Sequence, residues 1–335
     1  MTTRRMSLIA HGAGALAPSI KLAPLTSFAQ QPPVKIFRIG HLSGGNKAGN
    51  QSLMDTIGEG MRAHGHVEGR TYTMDERFAE GKFDRLPTLV QELVQLKPDV
   101  LLVATTPGVL AAKAATSTIP IVFVQVADPV GAGIVPSLAR QGGNITGVTN
   151  IVAELAGKRL EILKEIFPKA SQIAVFVNPN DQNTPLQMRY AEEGARHLHI
   201  KLGPILEVRS PDDLEKAFQA AVKARAVAAI RMIDPLMPML RKQTAELSLK
   251  YRLPMIFPTQ EDVEDGGLMA YGANAAEQFR QAATMVDKIL RGAKPSDIPV
   301  QQAAIFDLAI NLRTAKALGI KLPEALLLRA TKVLE

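Results

Sequence analysis

The chain has 335 residues, 46% of them hydrophobic and 21% charged, which exceeds one ordinary core and suits two lobes. It has no Cys, which excludes disulfides, thiolate metal sites, a cysteine nucleophile and an acylated lipoprotein cysteine. The formal charge is +7, but with 4% aromatics, no Trp and interspersed charges there is little on which to stack bases, so no nucleic-acid partner is expected.

Residues 1–29 read as an export leader. Arg4 and Arg5 form a basic start, Leu8 to Ala17 a short apolar stretch, and Ser27-Phe28-Ala29 a small-x-small cleavage signal. The paired arginines suggest twin-arginine export, while His11 and Lys21 depart from a clean leader. Cleavage after Ala29 leaves 36 Lys+Arg against 32 Asp+Glu, a charge of +4. The mature chain is then expected in the periplasm, with no apolar run long enough for a membrane span. The glycine pattern from Gly12 to Ala17 has no strand before it, so it is not read as a dinucleotide fingerprint.

After Pro33 the pattern becomes regular. A strand over 36–42 ends at Ser43-Gly44-Gly45, and Leu53, Ile57 and Met61 mark a helix stopped by Gly65. Strands follow at 72–78, 100–104, 121–126 and 144–149, with helices at 83–96 and 105–115 and a further helix opening at Asp128-Pro129. The rhythm then repeats. Helices are predicted at 154–167, 186–197, from Asp212 behind a Ser210 cap, and at 239–250. Strands are predicted at 173–177, 202–208, 227–232, 255–257 and 268–271. Two runs of strand–helix units mean an α/β fold of two doubly wound, Rossmann-like lobes.

In such sheets ligands lie beyond the carboxyl ends of the strands. The residues placed there are Ser43, Thr105, Thr106, Asp128, Asn178, Asn180, Asp234 and Gln260. They are small and polar, which suits hydrogen bonding to a solute better than bond-breaking. Ser43, Thr105 and Thr106 precede helix starts, where free N–H groups favour an anion. Asp128 and Asp234, one from each lobe, are expected to hold an ammonium group. A small aliphatic or polar amino acid, or a related carboxylate, fits this pattern. Each position also has a plainer reading, as a helix cap or a turn before proline.

Patterns for catalysis are weaker. Gly40-His41-Leu42-Ser43-Gly44 places its first glycine one position too far away for a nucleophile elbow, and His41 is expected on the other side of the strand from Ser43. Gly131-Ala132-Gly133 lacks the third glycine of a phosphate cradle and reads as close helix–sheet packing. No P-loop is present, so the chain is not an ATPase of that kind. His64/His66 and His197/His199 have i, i+2 spacing and read as solvent-facing. Glu261, Asp262, Glu264 and Asp265 read as a solvated helix face before Gly266. No metal, cofactor or enzymatic activity is expected.

Several stretches together carry a resemblance. They include Thr116 to Pro120, Asp128-Pro129-Val130, Ser137 to Arg140, Gly142 to Gly147, Gly157 to Leu160, Gly266 to Gly272, Val286 to Leu290, Gly292 to Pro295, Asn311-Leu312 and Ala315 to Gly319. From about residue 35 to its end the chain resembles the TrpX-like ABC transporter substrate-binding protein family. The resemblance implies a type I periplasmic-binding-protein fold, joined by hinge strands, and a small-molecule solute, an amino acid among the known cases. The implied partners are an ABC permease and its ATPase subunit, with the binding protein a monomer. It also implies crossovers at 144–150, 268–272 and 304–312, with Thr149, Asn150, Tyr271 and Gly272 as hinge residues. The lobes would then be 35–150 with 272–300, and 151–271 with 301–335. The alternatives are a ligand-sensing module for a membrane receptor, or a hydrolase using Ser43.

Overall fold

The computed structural model describes residues 35–139, 143–151, 153–181, 183–234 and 236–335. The leader-like segment 1–29 lies outside the described residues, as do Pro235 and, in the motif at 137–147, Arg140 to Gly142.

The first lobe opens with β1 (Phe37–Ser43), α1 (Lys47–Ala63) and β2 (Tyr72–Phe78). It continues through α2 (Leu86–Gln95), β3 (Val100–Ala104), α3 (Thr106–Ala115), β4 (Ile121–Val126) and β5 (Ile145–Thr149). β3 and β5 are buried at every residue, as strands covered on both faces must be. The helix expected after Asp128-Pro129 does not form. Residues 128–135 make hydrogen-bonded turns instead, among them Ala132 N to Asp128 O and Ile134 N to Pro129 O. Gly133 adopts φ +65° there and Pro136 lacks an N–H, so a helix would meet two breakers within its first turns.

The second lobe runs through α4 (Leu155–Ile166), β6 (Gln172–Val177), α5 (Thr184–His197) and β7 (Lys201–Glu207). It goes on through α6 (Pro211–Lys223), β8 (Ala228–Arg231), α7 (Arg241–Lys250), β9 (Met255–Phe257), α8 (Gln260–Glu264) and β10 (Met269–Ala273). Ser210 and Asp213 start α6 as a reciprocal capping box.

The chain then returns. α9 (Ala275–Leu290) buries Phe279, Ala282, Met285 and Val286 in the first lobe's core beside Ile39, Val100 and Val122. Gly60 of α1 makes this docking close, because a Cβ there would meet the Ala283 Cβ at 2.6 Å. β11 (Gln301–Gln302) joins the first sheet, and β12 (Phe306–Asn311), α10 (Leu312–Leu318), α11 (Glu324–Arg329) and β13 (Lys332–Leu334) finish the second lobe.

The first sheet has the order β11-β5-β4-β3-β1-β2 and is parallel throughout. The second has the order β13-β12-β10-β9-β8-β6-β7, with β10–β12 its antiparallel pair. The chain passes between the lobes after β5, after β10 and between β11 and β12. Gln301 and Gln302 pair with Val148 and Thr149, so the last passage begins two residues beyond the expected boundary at 300. These passages are tied by Ala303 N to Thr149 O and Asn274 N to Ile305 O, at 2.8 and 2.9 Å.

Candidate functional site

The loops beyond the strand ends of both lobes converge on a cleft of about 560 Å³. From the first lobe come Gly44 to Asn46 after β1, Glu80, Gly81 and Phe83 after β2, Thr105 and Thr106 after β3, and Gln125 within β4. From the second come Asp181 and Asn183 after β6, Ile233 and Asp234 after β8, and Thr259 to Glu261 after β9. Asn150, Gly272 and Asn274 line it from the passages.

The first face is made of helix starts. Asn46 caps α1 by accepting from Gly49 N at 2.7 Å. Thr105 precedes α3 with φ 71° and ψ 150°, a conformation that costs a β-branched residue about 1–3 kcal/mol. Its Oγ1 is buried without a hydrogen-bond partner among the described residues. Glu80 (φ 53°), Gln125 (φ 57°) and Ile151 (φ 44°) are also left-handed, so backbone strain falls at or beside four of the segments that frame the cleft.

The second face carries buried carboxylates. Asp181 is 7% exposed; Oδ1 accepts from Asn183 Nδ2 at 3.2 Å and Oδ2 has no partner among the described residues. Burial, with the charge of nearby Asp234 adding to it, raises its pKa to about 6. Asp234 is 4% exposed and accepts from Asn178 Nδ2 at 3.2 Å and Leu236 N at 2.8 Å.

Of the residues predicted from sequence, Thr105, Thr106, Asp234 and Gln260 line the cleft. Gln260 also donates to Glu264 Oε1 at 2.9 Å. Ser43 lies behind it, accepting from Gly45 N at 3.1 Å and donating to Asn50 Oδ1 at 3.3 Å, which shapes the Gly44–Gly45 turn. Asn178 is buried and holds Asp234. Asn180 is exposed and off the cleft. Asp128 is off it as well: it accepts from Gly131 N at 2.8 Å and borders a separate cavity with Arg189. A turn that folds around a carboxylate repels phosphate, which also disposes of a phosphate cradle at Gly131-Gly133. Of the residues expected at the hinge, Asn150 and Gly272 line the cleft. Thr149 is buried, donating to Val126 O at 2.7 Å, and Tyr271 stacks on Phe306 with centroids 6.2 Å apart.

Three other expectations change. His41 and Ser43, two apart on one strand, share a face after all. They do not bond to one another: His41 Nδ1 lies 3.1 Å from Leu102 O, and Ser43 bonds Asn50 and Gly45. His64 and His66 are not solvent-facing; His66 Nε2 lies 2.8 Å from Asp287 Oδ1 of α9, and His64 Nε2 lies 3.1 Å from Thr284 Oγ1. Asp262 is not solvated either. It is 1% exposed, 2.8 Å from the buried Arg231, and caps α8 by accepting from Thr259 Oγ1 at 2.8 Å.

Sequence reading missed Asp181, Asn183, Phe83, Met239 and Asp307. Asp181 directly follows two chosen residues, Asn178 and Asn180, and the strand-end rule needed only one more position. Asp307 is the second residue of β12, which runs against β10, so a rule for the ends of parallel strands passes over it.

The described residues hold no metal-competent cluster of His, Cys, Asp and Glu, and no helix among them is long and apolar enough to cross a membrane. Among solved structures, a conserved domain protein from Vibrio cholerae O1 biovar El Tor is similar at 30% identity and TM-score 0.82, over 89% of this chain and 100% of that one. The ABC domain in complex with L-Trp from Streptococcus pneumonia superposes at TM-score 0.81 with 23% identity, over 90% of this chain and 100% of that one. A tyrosine-binding protein from Clostridioides difficile (strain R20291) is 27% identical over 262 residues, 77% of this chain and 73% of that one. The fold is that of type I periplasmic binding proteins. A family described as ABC transporter substrate binding protein matches residues 47–334, and the chain belongs to that family.

Proposed function

We propose that the protein captures an amino-acid-like solute between its lobes and hands it unchanged to an ABC permease driven by an ATPase subunit. The observation that carries this reading is the chemical difference between the two faces of the cleft. The second lobe offers two buried carboxylates, Asp181 and Asp234, to an ammonium group. The first offers the Thr105 hydroxyl, without a partner among the described residues, and the N-terminus of α3 to a carboxylate. Asp181 fills the role expected of Asp128. Leu53, Phe83, Ile233 and Met239 supply an apolar wall for the solute's body. The volume lies within the roughly 300–1,000 Å³ usual for small-molecule sites.

In this reading residues 1–29 direct export to the periplasm, and the lobes close about the three chain passages near Asn150, Asn274 and Ala303. A ligand touching both faces favours the closed arrangement. The test is a thermal-shift screen of the mature chain against amino acids, amines and organic acids. A true ligand at a hundred times its Kd raises stability by about 2.7 kcal/mol. It should be recovered unchanged after long incubation and should shrink the radius of gyration in small-angle scattering. A product that disappears in Ser43→Ala would replace this reading with a hydrolase.

A further inference from the structure

The cleft's charge runs against the rest of the chain. Lys and Arg outnumber Asp and Glu by 39 to 32 overall, yet the cleft is lined by six carboxylates and one guanidinium. The carboxylates are Glu80, Asp181, Asp234, Glu261, Glu264 and Asp307; the guanidinium is Arg241. Arg241 is already held by Asp265 at 2.8 Å, outside the lining, and Glu264 by Lys332 at 2.5 Å. Among the described residues Asp307 accepts only from a neutral donor, Asn274 Nδ2 at 2.8 Å. Glu80 and Glu261 form no ion pair among the described residues. Asp181, more than nine-tenths buried, keeps an oxygen without a partner on the same surface.

A zwitterion does not relieve this imbalance. Its ammonium offsets one carboxylate and its own carboxylate restores one negative charge. Apolar walls such as Phe83, Leu53 and Ile233 keep the local dielectric low, which strengthens and focuses the remaining field. We propose that the cleft selects a compact solute of net positive charge, a cationic amino acid or an amine on an apolar body, over a zwitterion of the same shape. Asp181 and Asp234 hold one cationic group. Asp307, which pairs with Gly272 of β10, and Glu261 beyond β9 hold the other or set the field around it. The proposal rests on the reading of this cleft as the solute site.

Calorimetry on the full chain with two matched pairs tests it: L-lysine against L-norleucine, which differ by the distal amine, and tyramine against L-tyrosine, which differ by the carboxylate. The expected result is that each cationic member binds at least tenfold tighter than its zwitterionic partner. The preference should shrink with added salt and in Asp181→Asn. If norleucine or tyrosine binds as tightly as its cationic partner, the charge proposal is overturned while the amino-acid reading stands. If tyramine binds and neither lysine nor the zwitterions do, the charge proposal stands and the amino-acid reading falls. Binding of lysine without tyramine supports both, and silence from all four overturns both.

Discussion

The first lobe meets the cleft with Thr105, Thr106, Asn46 and Asn50 at the starts of two helices, whereas the second meets it with Asp181 and Asp234 beyond β6 and β8. The same strand–helix architecture produces both faces. The difference lies in how each departs from a relaxed fold. The first holds strain in its backbone, with a threonine at φ 71°. The second holds it in electrostatics, with Asp181 buried deeply enough to raise its pKa and Asp234 nearby adding to the rise. In both, residues that a stability-driven sequence would replace line the space between the lobes, the expected mark of a site kept for binding.

The largest expected effect separates support from contact in the second lobe. Asp262 pairs with the buried Arg231 and caps α8, but it does not line the cleft. Asp262→Asn leaves that guanidinium without its charge partner and should cost about 3–5 kcal/mol. Urea denaturation reads this directly. A loss under 1 kcal/mol would show that the second face does not depend on this buried pair.

Next comes a pair of opposing pH effects. Burial lowers the pKa of His41, in the first lobe, to about 4, so it stays neutral while the unfolded chain takes up a proton below about 6.5. Its contribution is complete above 6.5 and is lost as pH falls toward 4, by about 3 kcal/mol. Asp181 does the reverse. Its folded pKa of about 6 exceeds the model-compound 3.8, so its cost is absent below 3.8 and grows as pH rises through 6. Asp181→Asn should therefore be more stable than the parent at pH 7, by up to about 3 kcal/mol, with the gap in Tm closing by pH 4. An equal gap at both pH values would mean that Asp181 is not a strained, ionised group.

The first face has a smaller counterpart. Thr105→Gly accepts φ 71° without strain and should gain about 1 kcal/mol. It should also weaken ligand binding several-fold, because the unpartnered hydroxyl is gone. Stabilisation with unchanged affinity would remove Thr105 from the binding account. The smallest effect is expected at Asp128. It turns around Gly131 outside the cleft, so Asp128→Asn should alter affinity by less than about twofold, within the usual range for surface changes.

What was legible in the sequence follows the same division. Local periodicity located β2, β3, β4 and β9 to the residue; β3, β4 and β9 are short buried runs between turn signals, which leave few alternatives, while β2 is a half-exposed edge strand. Thr105, Thr106, Asp234 and Gln260 were found by the strand-end rule alone. What failed was long-range. Asp287 reaches His66 across 221 residues, and Asp262 meets Arg231 from another element, so neither pairing leaves a local pattern. The helix expected after Asp128-Pro129 failed on local chemistry that was present, since Gly131, Gly133 and Pro136 outweighed the apolar spacing. Asp307 could be placed only once the antiparallel pairing of β10 and β12 was known.

On this reading a solute's amine rests on the carboxylates of the second lobe. Calorimetry with L-lysine and Nα-acetyl-L-lysine tests it most directly, since acetylation removes the α-ammonium and leaves the rest of the solute in place. L-lysine should bind at least a hundredfold tighter than the acetylated form, a difference of about 2.7 kcal/mol, and Asp181→Asn should remove most of it. Equal affinity for the two forms, or a difference that persists undiminished in Asp181→Asn, would contradict it.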